Sequence, residues 1–153
     1  MKIIVPKEIA NKILSAIIKE GVRETKGALF AKFVSENCYE IEDVYISKVK
    51  GTNVFSNLIV NYSYHKFEKQ YHKKHKKDYV NHNYIGDWHS HPLFECNPSS
   101  YDISECFDEL KNSNANFLIQ LIVKVNNEKM IGNCFLYKRD GTNRKCELII
   151  ENS

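Results

Sequence analysis

Apolar positions along the chain mark out short elements separated by polar turns. Lys2-Ile3-Ile4-Val5 reads as a strand, and Pro6 after it suits the first turn of a helix, where its missing N–H is no loss. Ile9, Ile13 and Ile17 recur at i, i+4, with Leu14 and Ile18 widening the stripe, so a helix follows. Gly21 is placed to end it in the left-handed conformation. Gly27 to Val34 is an apolar strand, and Tyr39 to Val49 and Asn57 to Tyr62 read as further strands, the latter alternating imperfectly. From Ser63 to Lys77 the period changes. Tyr64, Phe67, Tyr71 and His75 fall at i, i+3, i+7 and i+11, which gives a lysine-rich helix one face to bury.

Tyr84 to His89 is a short buried strand, and Ser99 or Ser100 can cap a helix running to about Leu110, with Asp102 in its first turn. Phe117 to Val125 and Met130 to Tyr137 read as strands joined by a turn containing Asn126-Asn127. A last strand, Lys145 to Glu151, follows a turn at Asp140-Gly141. Strands and helices interleave, so the expected class is α/β or α+β, a central sheet flanked by helices. No repeat, low-complexity tract or linker interrupts the pattern, and 153 residues suit one domain spanning 1–153.

Composition adds little to this and excludes some alternatives. With 42% hydrophobic and 27% charged residues the chain is not of the disordered type. The cysteines, Cys38, Cys96, Cys106, Cys134 and Cys146, are odd in number and lack a Cys-x-x-Cys pair, so free thiols in a reducing cytoplasm are expected. No leader-like segment opens the chain, and runs such as Ile119 to Val123 are too short to span a bilayer. Net charge is +3, yet residues 65–77 alone carry six lysines against one glutamate. The basic character is therefore one local patch. Lacking interleaved arginine or glycine, Lys66 to Lys77 reads first as a solvated helix face, next as a contact for an acidic protein partner, and last as a nucleic-acid surface. His65, His72 and His75 read as surface residues and not as a second metal site, and His82 belongs to no pattern.

The chemistry concentrates in Asp87-Trp88-His89-Ser90-His91-Pro92. Residues i and i+2 of a strand share a face, so His89 and His91 can converge on one ion. That spacing alone is weak evidence. The continuation to His-x-His-x7-Ser-x2-Asp, ending at Ser99 and Asp102, strengthens it, since Asp102 early in a helix supplies a third, oxygen ligand. Three protein ligands leave a fourth position for water, the arrangement of a catalytic zinc site, with one Zn2+ per chain. Such a water ionises near neutral pH. Glu24, at the entry of the strand from Gly27, is placed to accept a proton from it. Cys96 lies between His91 and Ser99, but a thiolate ligand would close the open position.

His89-Ser90-His91-Pro92 followed by Pro98-Ser99 and Asp102 resembles the metal motif of the JAB/MPN (JAMM) zinc metallopeptidases. Arg23-Glu24-Thr25-Lys26-Gly27-Ala28-Leu29 is similar to that family's upstream glutamate segment, although Lys26 and Ala31 stand where glycines are common. Gly86-Asp87-Trp88-His89-Ser90-His91-Pro92 resembles the compact prokaryotic JAB type, which often accompanies bacterial ubiquitin-like conjugation enzymes, including CBASS anti-phage systems. The resemblance implies a cytidine deaminase-like α/β fold and a peptidase or isopeptidase acting at the C-terminal tail of a ubiquitin-like modifier. It implies His89, His91 and Asp102 as ligands, Glu24 as general base and acid, and Ser99 as oxyanion stabiliser, with a plain helix-capping role for Ser99 also open. A non-catalytic MPN-type scaffold and a DNA-associated JAB-fold protein are the alternatives.

Overall fold

The structure, a computed structural model, describes residues 1–47 and 54–152. Its elements in chain order are β1 (Lys2–Val5), α1 (Lys7–Glu20), β2 (Lys26–Ser35), β3 (Cys38–Ile46), α2 (Val54–Lys74), β4 (His82–Ser90), α3 (Ser100–Lys111), β5 (Phe117–Asn126), β6 (Lys129–Lys138), β7 (Asn143–Lys145) and β8 (Glu147–Ile150). One mixed sheet runs β7-β6-β5-β4-β2-β3-β1-β8. In it β4 is central, antiparallel to β2 and parallel to β5.

The two ends of this sheet are consecutive in sequence. β7 closes on β6 through Lys145, β8 opens on β1 through Glu147, and only Cys146 separates them. Chain geometry allows about 7–8 Å across two such steps, so the sheet must roll until its edges meet. Cys146 N–H donates to Cys134 O at 2.8 Å, and Asn152 exchanges two hydrogen bonds with Met130. Both contacts fasten the end of the chain to β6.

Strand alternation sorts the side chains into two layers. On the concave side α1 buries Ile9, Ile13 and Ile17 against Leu29, Ile41, Ile119, Leu121 and Val123. The convex side receives the other two helices: Tyr64, Phe67 and Tyr71 of α2 cover Ala28 and Phe30, while Cys106 and Leu110 of α3 cover Leu118 and Tyr137. β5 is buried on both faces for most of its length, as a strand parallel-paired at the centre of a covered sheet should be.

Most of the expected elements are present, with three differences. Asn57 to Tyr62 is helical and belongs to α2. No glycine or proline breaks the chain between Val54 and Lys74, and the aromatic stripe that docks α2 extends the helix upstream over residues whose own pattern was ambiguous. The expected last strand divides at Cys146 between opposite ends of the rolled sheet. The third strand ends at Ile46, and Lys48 and Val49 lie outside the described residues. Gly21 does end α1 with φ 63°, its N–H returning to Ile17 and Ile18.

Candidate metal centre

β4 carries the site because a bulge changes its alternation. Leu29 pairs with Gly86 while Phe30 pairs with Tyr84, so Ile85 is the extra residue. Tyr84 and Asp87, three apart, therefore face the same side, and Tyr84 Oη donates to Asp87 Oδ1 at 3.0 Å. Gly86 makes the bulge possible. Its φ is 151°, and a Cβ there would lie 1.8 Å from Ile119 O. Past the bulge, Trp88 points into the concave core while His89 turns toward α3.

His89, His91 and Asp102 converge. His89 Nε2 lies 3.0 Å from His91 Nε2 and 3.5 Å from Asp102 Oδ2, and His91 Nε2 lies 3.7 Å from that oxygen. Donors bound tetrahedrally to zinc at 2.0–2.1 Å stand about 3.3 Å apart, so these three already form one face of such a site. His91 Nδ1 donates to Glu95 O at 2.9 Å. A carbonyl can only accept, which fixes the proton on Nδ1 and leaves the Nε2 lone pair free for a metal. Burial lowers the His89 pKa against the opposing pull of the Asp102 carboxylate, favouring the neutral ring that binds metals.

α3 presents its carboxylate by capping. Ser99 Oγ accepts Asp102 N–H at 3.1 Å, and Asp102 Oδ2 accepts Ser99 N–H at 2.8 Å, a reciprocal capping box. The helix N-terminus also favours negative charge at that position.

Glu24 sits in the turn between α1 and β2, largely exposed, with Oε1 4.0 Å from His91 Nε2. Its backbone neighbour is fixed. Thr25 N–H donates to Ser90 Oγ at 2.8 Å, and Ser90 N–H donates to Thr25 O at 2.8 Å. Ser90, between the two histidines and fully buried, thus ties the glutamate turn to the metal strand.

From residue 6 to residue 136 the sequence matches the family described as prokaryotic homologs of the JAB domain. The chain belongs to this family. Among solved structures it shares its fold with a protein of Desulfitobacterium hafniense, at 18% identity and a TM-score of 0.64, covering 99% of this chain and 94% of that one. A Salinibacter ruber protein is similar at 12% identity and a TM-score of 0.57, covering 99% and 92%. A JAB1/MPN domain protein from Archaeoglobus fulgidus is 17% identical, with a TM-score of 0.47 and coverage of 97% and 99%. No protein with curated function matches the sequence.

Around this JAB-domain centre stand residues that the motif does not announce. Gln120, buried in β5, accepts Tyr137 Oη at 2.9 Å and reaches Asp102 O at 3.5 Å, so the sheet braces the first turn of α3. A lone glutamine inside Leu118 to Val123 was the available signal. The single Tyr84 O–H is shared between Asp87 and Glu109, and burial, with the Glu109 charge second, pushes the Asp87 carboxyl up to about 8. Cys96 lies buried in the loop between His91 and Asp102, its thiol pushed up by burial, and its backbone carbonyl accepts Asn133 Nδ2 at 3.1 Å. It is not part of the ligand cluster. Among the described residues no helix is long and apolar enough to cross a membrane.

Proposed function

We propose that this JAB domain is a zinc-dependent peptidase or isopeptidase that removes or matures a ubiquitin-like modifier by hydrolysis at its C-terminal tail, in the setting of bacterial conjugation systems used in anti-phage defence. The observation that carries the reading is the convergence of His89, His91 and Asp102, with Glu24 4.0 Å from His91. The donor set, two imidazoles and one carboxylate, suits zinc, and the donor spacing fits it. A zinc ion held there would supply a Lewis acid and a water that ionises near neutral pH.

The chain's own groups divide the remaining work. Glu24, exposed and 4.0 Å from His91 Nε2, takes the proton of the attacking water and returns it to the leaving amine. The Ser99 hydroxyl oxygen is occupied by Asp102 N–H, which leaves its own proton to donate toward the substrate carbonyl as that oxygen becomes negative. Capping and oxyanion stabilisation are thus compatible in one side chain. Leu93, Phe94 and Tyr101, all more than 65% exposed, surround the cluster in sequence and give an incoming tail apolar contacts. β3 pairs with β1 only up to Glu40, so its outer edge from Ile41 to Ile46 carries no strand among the described residues. An extended tail could pair with that edge.

The test is cleavage of fusions of a modifier encoded beside this gene, with ubiquitin fusions for comparison. Cleavage after the modifier's last residue is expected, abolished by a chelator and unaffected by a thiol alkylating agent. Glu24→Ala should keep zinc and lose about 10²–10⁴ in turnover. Intact fusions with zinc bound would support the scaffold alternative, and inhibition by the alkylating agent alone would overturn the mechanism.

A further inference from the structure

A second set of metal-type donors lies at the far end of β4. Glu42 of β3, His75 just past the end of α2, and His82, the first residue of β4, each bring a ligand atom within 4.8 Å of the others. His82 Nδ1 is 2.8 Å and His75 Nε2 is 3.7 Å from Glu42 Oε2. These side chains are 17% exposed for Glu42 and His75 and 24% for His82, so His75 is not the free surface residue its sequence suggested. Seven strand steps of about 3.3 Å separate His82 from His89, which puts the two clusters roughly 20 Å apart. They cannot share an ion.

A hydrogen-bonded clamp is the simpler reading, and it accounts for only part of the arrangement. Glu42 already receives Tyr71 Oη at 2.6 Å and His82 Nδ1. His75 is left over. It approaches the carboxylate at a distance too long for a hydrogen bond and stacks on His82, ring centroids 4.0 Å apart and planes within 15°. Two stacked imidazoles gain little when neutral and repel when both are charged. What the third donor supplies is a ligand set. The distances 2.8 and 3.7 Å bracket the roughly 3.3 Å edge of a tetrahedral zinc site. Tyr71 Oη donates to that same oxygen, Glu42 Oε2, and a hydrogen bond of this kind is the usual support for a ligating side chain. A cavity of about 250 Å³, lined in part by Glu42, Tyr71, Lys74 and His75, opens the cluster to solvent and leaves room for a water ligand.

We propose that Glu42, His75 and His82 form a second site for one divalent transition metal ion, of the zinc, nickel or copper class, which clamps the end of α2 and the start of β4 onto β3. A metal lies in the plane of each imidazole it binds, so nearly parallel rings cannot both ligate as they stand. One ring must turn, and His75 is the one less held, because His82 Nδ1 is hydrogen-bonded to Glu42 at 2.8 Å while His75 stands 3.7 Å from it. The ion then replaces a stacked pair by a chelate that joins three elements.

The proposal does not depend on the hydrolytic reading, and its test keeps the two apart. Full-length protein is stripped with chelator, dialysed against excess zinc and analysed for metal. Wild type should hold about two equivalents, Asp102→Ala about one, and Asp102→Ala with His75→Ala close to none. Zinc should raise the melting temperature of Asp102→Ala and not that of the double variant. Should a variant fold poorly by circular dichroism, imidazole nitrogen shifts in the unmutated protein provide the same answer: both His75 and His82 must move on zinc addition beyond the first equivalent. A single equivalent in wild type that Asp102→Ala removes, or uptake unchanged by His75→Ala, overturns the site.

Discussion

The smallest unit with a decisive role is Ser90. Its neighbours His89 and His91 point at the candidate metal centre, while its own hydroxyl faces inward and accepts the Thr25 N–H. Glu24 is the next residue back from that N–H, so one buried hydrogen bond sets how far the proposed base stands from the proposed ligands. Ser90→Ala leaves a buried donor unpaired, at a cost of about 1–3 kcal/mol. The effect on turnover should be larger than the stability loss suggests, because a shift of about 1 Å in a catalytic group can lower the rate about 10²-fold. Zinc content should not change, since Nε2 of both histidines keeps its surroundings. Ser90→Thr retains the hydroxyl and should recover part of the rate if the pocket accepts the added methyl. A Ser90→Ala enzyme that turns over like wild type would show that Glu24 is positioned without this anchor.

At the scale of the element, β4 depends on a glycine. Gly86 sits at φ 151° with Ile119 O where a Cβ would be, so Gly86→Ala must straighten the bulge or push β5 away. Backbone strain of this sort costs about 1–3 kcal/mol, and in a chain of this size each kcal/mol lowers Tm by about 2–4 °C. Thermal melting should show the drop, and zinc uptake should fall with it, because Tyr84, Asp87 and His89 share one face only through the bulge; an unaltered melt would refute that role. The sequence disclosed His89, His91, Asp102 and the Ser99 cap, since these depend on spacing within a few residues. It did not disclose the bulge, the Ser90–Thr25 bond or the His91–Glu95 bond that sets the tautomer. Each of these depends on register between strands or on where a loop folds back, which local periodicity does not carry. Asn57 to Tyr62 shows the opposite limit: six residues with a weak alternation follow the helix they are covalently part of. Likewise His75 and His82 look ordinary in the chain and meet only because α2 ends where β4 begins.

At the scale of the whole molecule, charge is divided between two regions. Lys66, Lys69, Lys73, Lys74, Lys76 and Lys77 are all exposed, while the aromatic residues of the same stretch, Phe67 and Tyr71, pack inward on the convex face. The metal centre instead gathers acidic groups, Glu24 and Asp102, with Glu105 one turn further along α3. Lys73 to Lys77 adjoin His75, at the His82 end of β4, and so stand roughly 20 Å from the site along that strand. The Debye length is about 8 Å at physiological salt and about 30 Å at 0.01 M, so these lysines barely act on bound substrate in physiological buffer but reach an approaching one at low salt. If an acidic partner or modifier is the substrate, the patch should speed encounter and leave the chemical step alone. The expected signature is a kcat/KM that falls as salt rises, with kcat unchanged. Lys73→Glu, Lys76→Glu and Lys77→Glu together should lower kcat/KM at low salt, flatten its salt dependence and leave kcat unchanged. A salt profile identical in wild type and triple variant would return the lysines to the role of a solvated helix face, because screening can only remove an attraction that the charges first supplied.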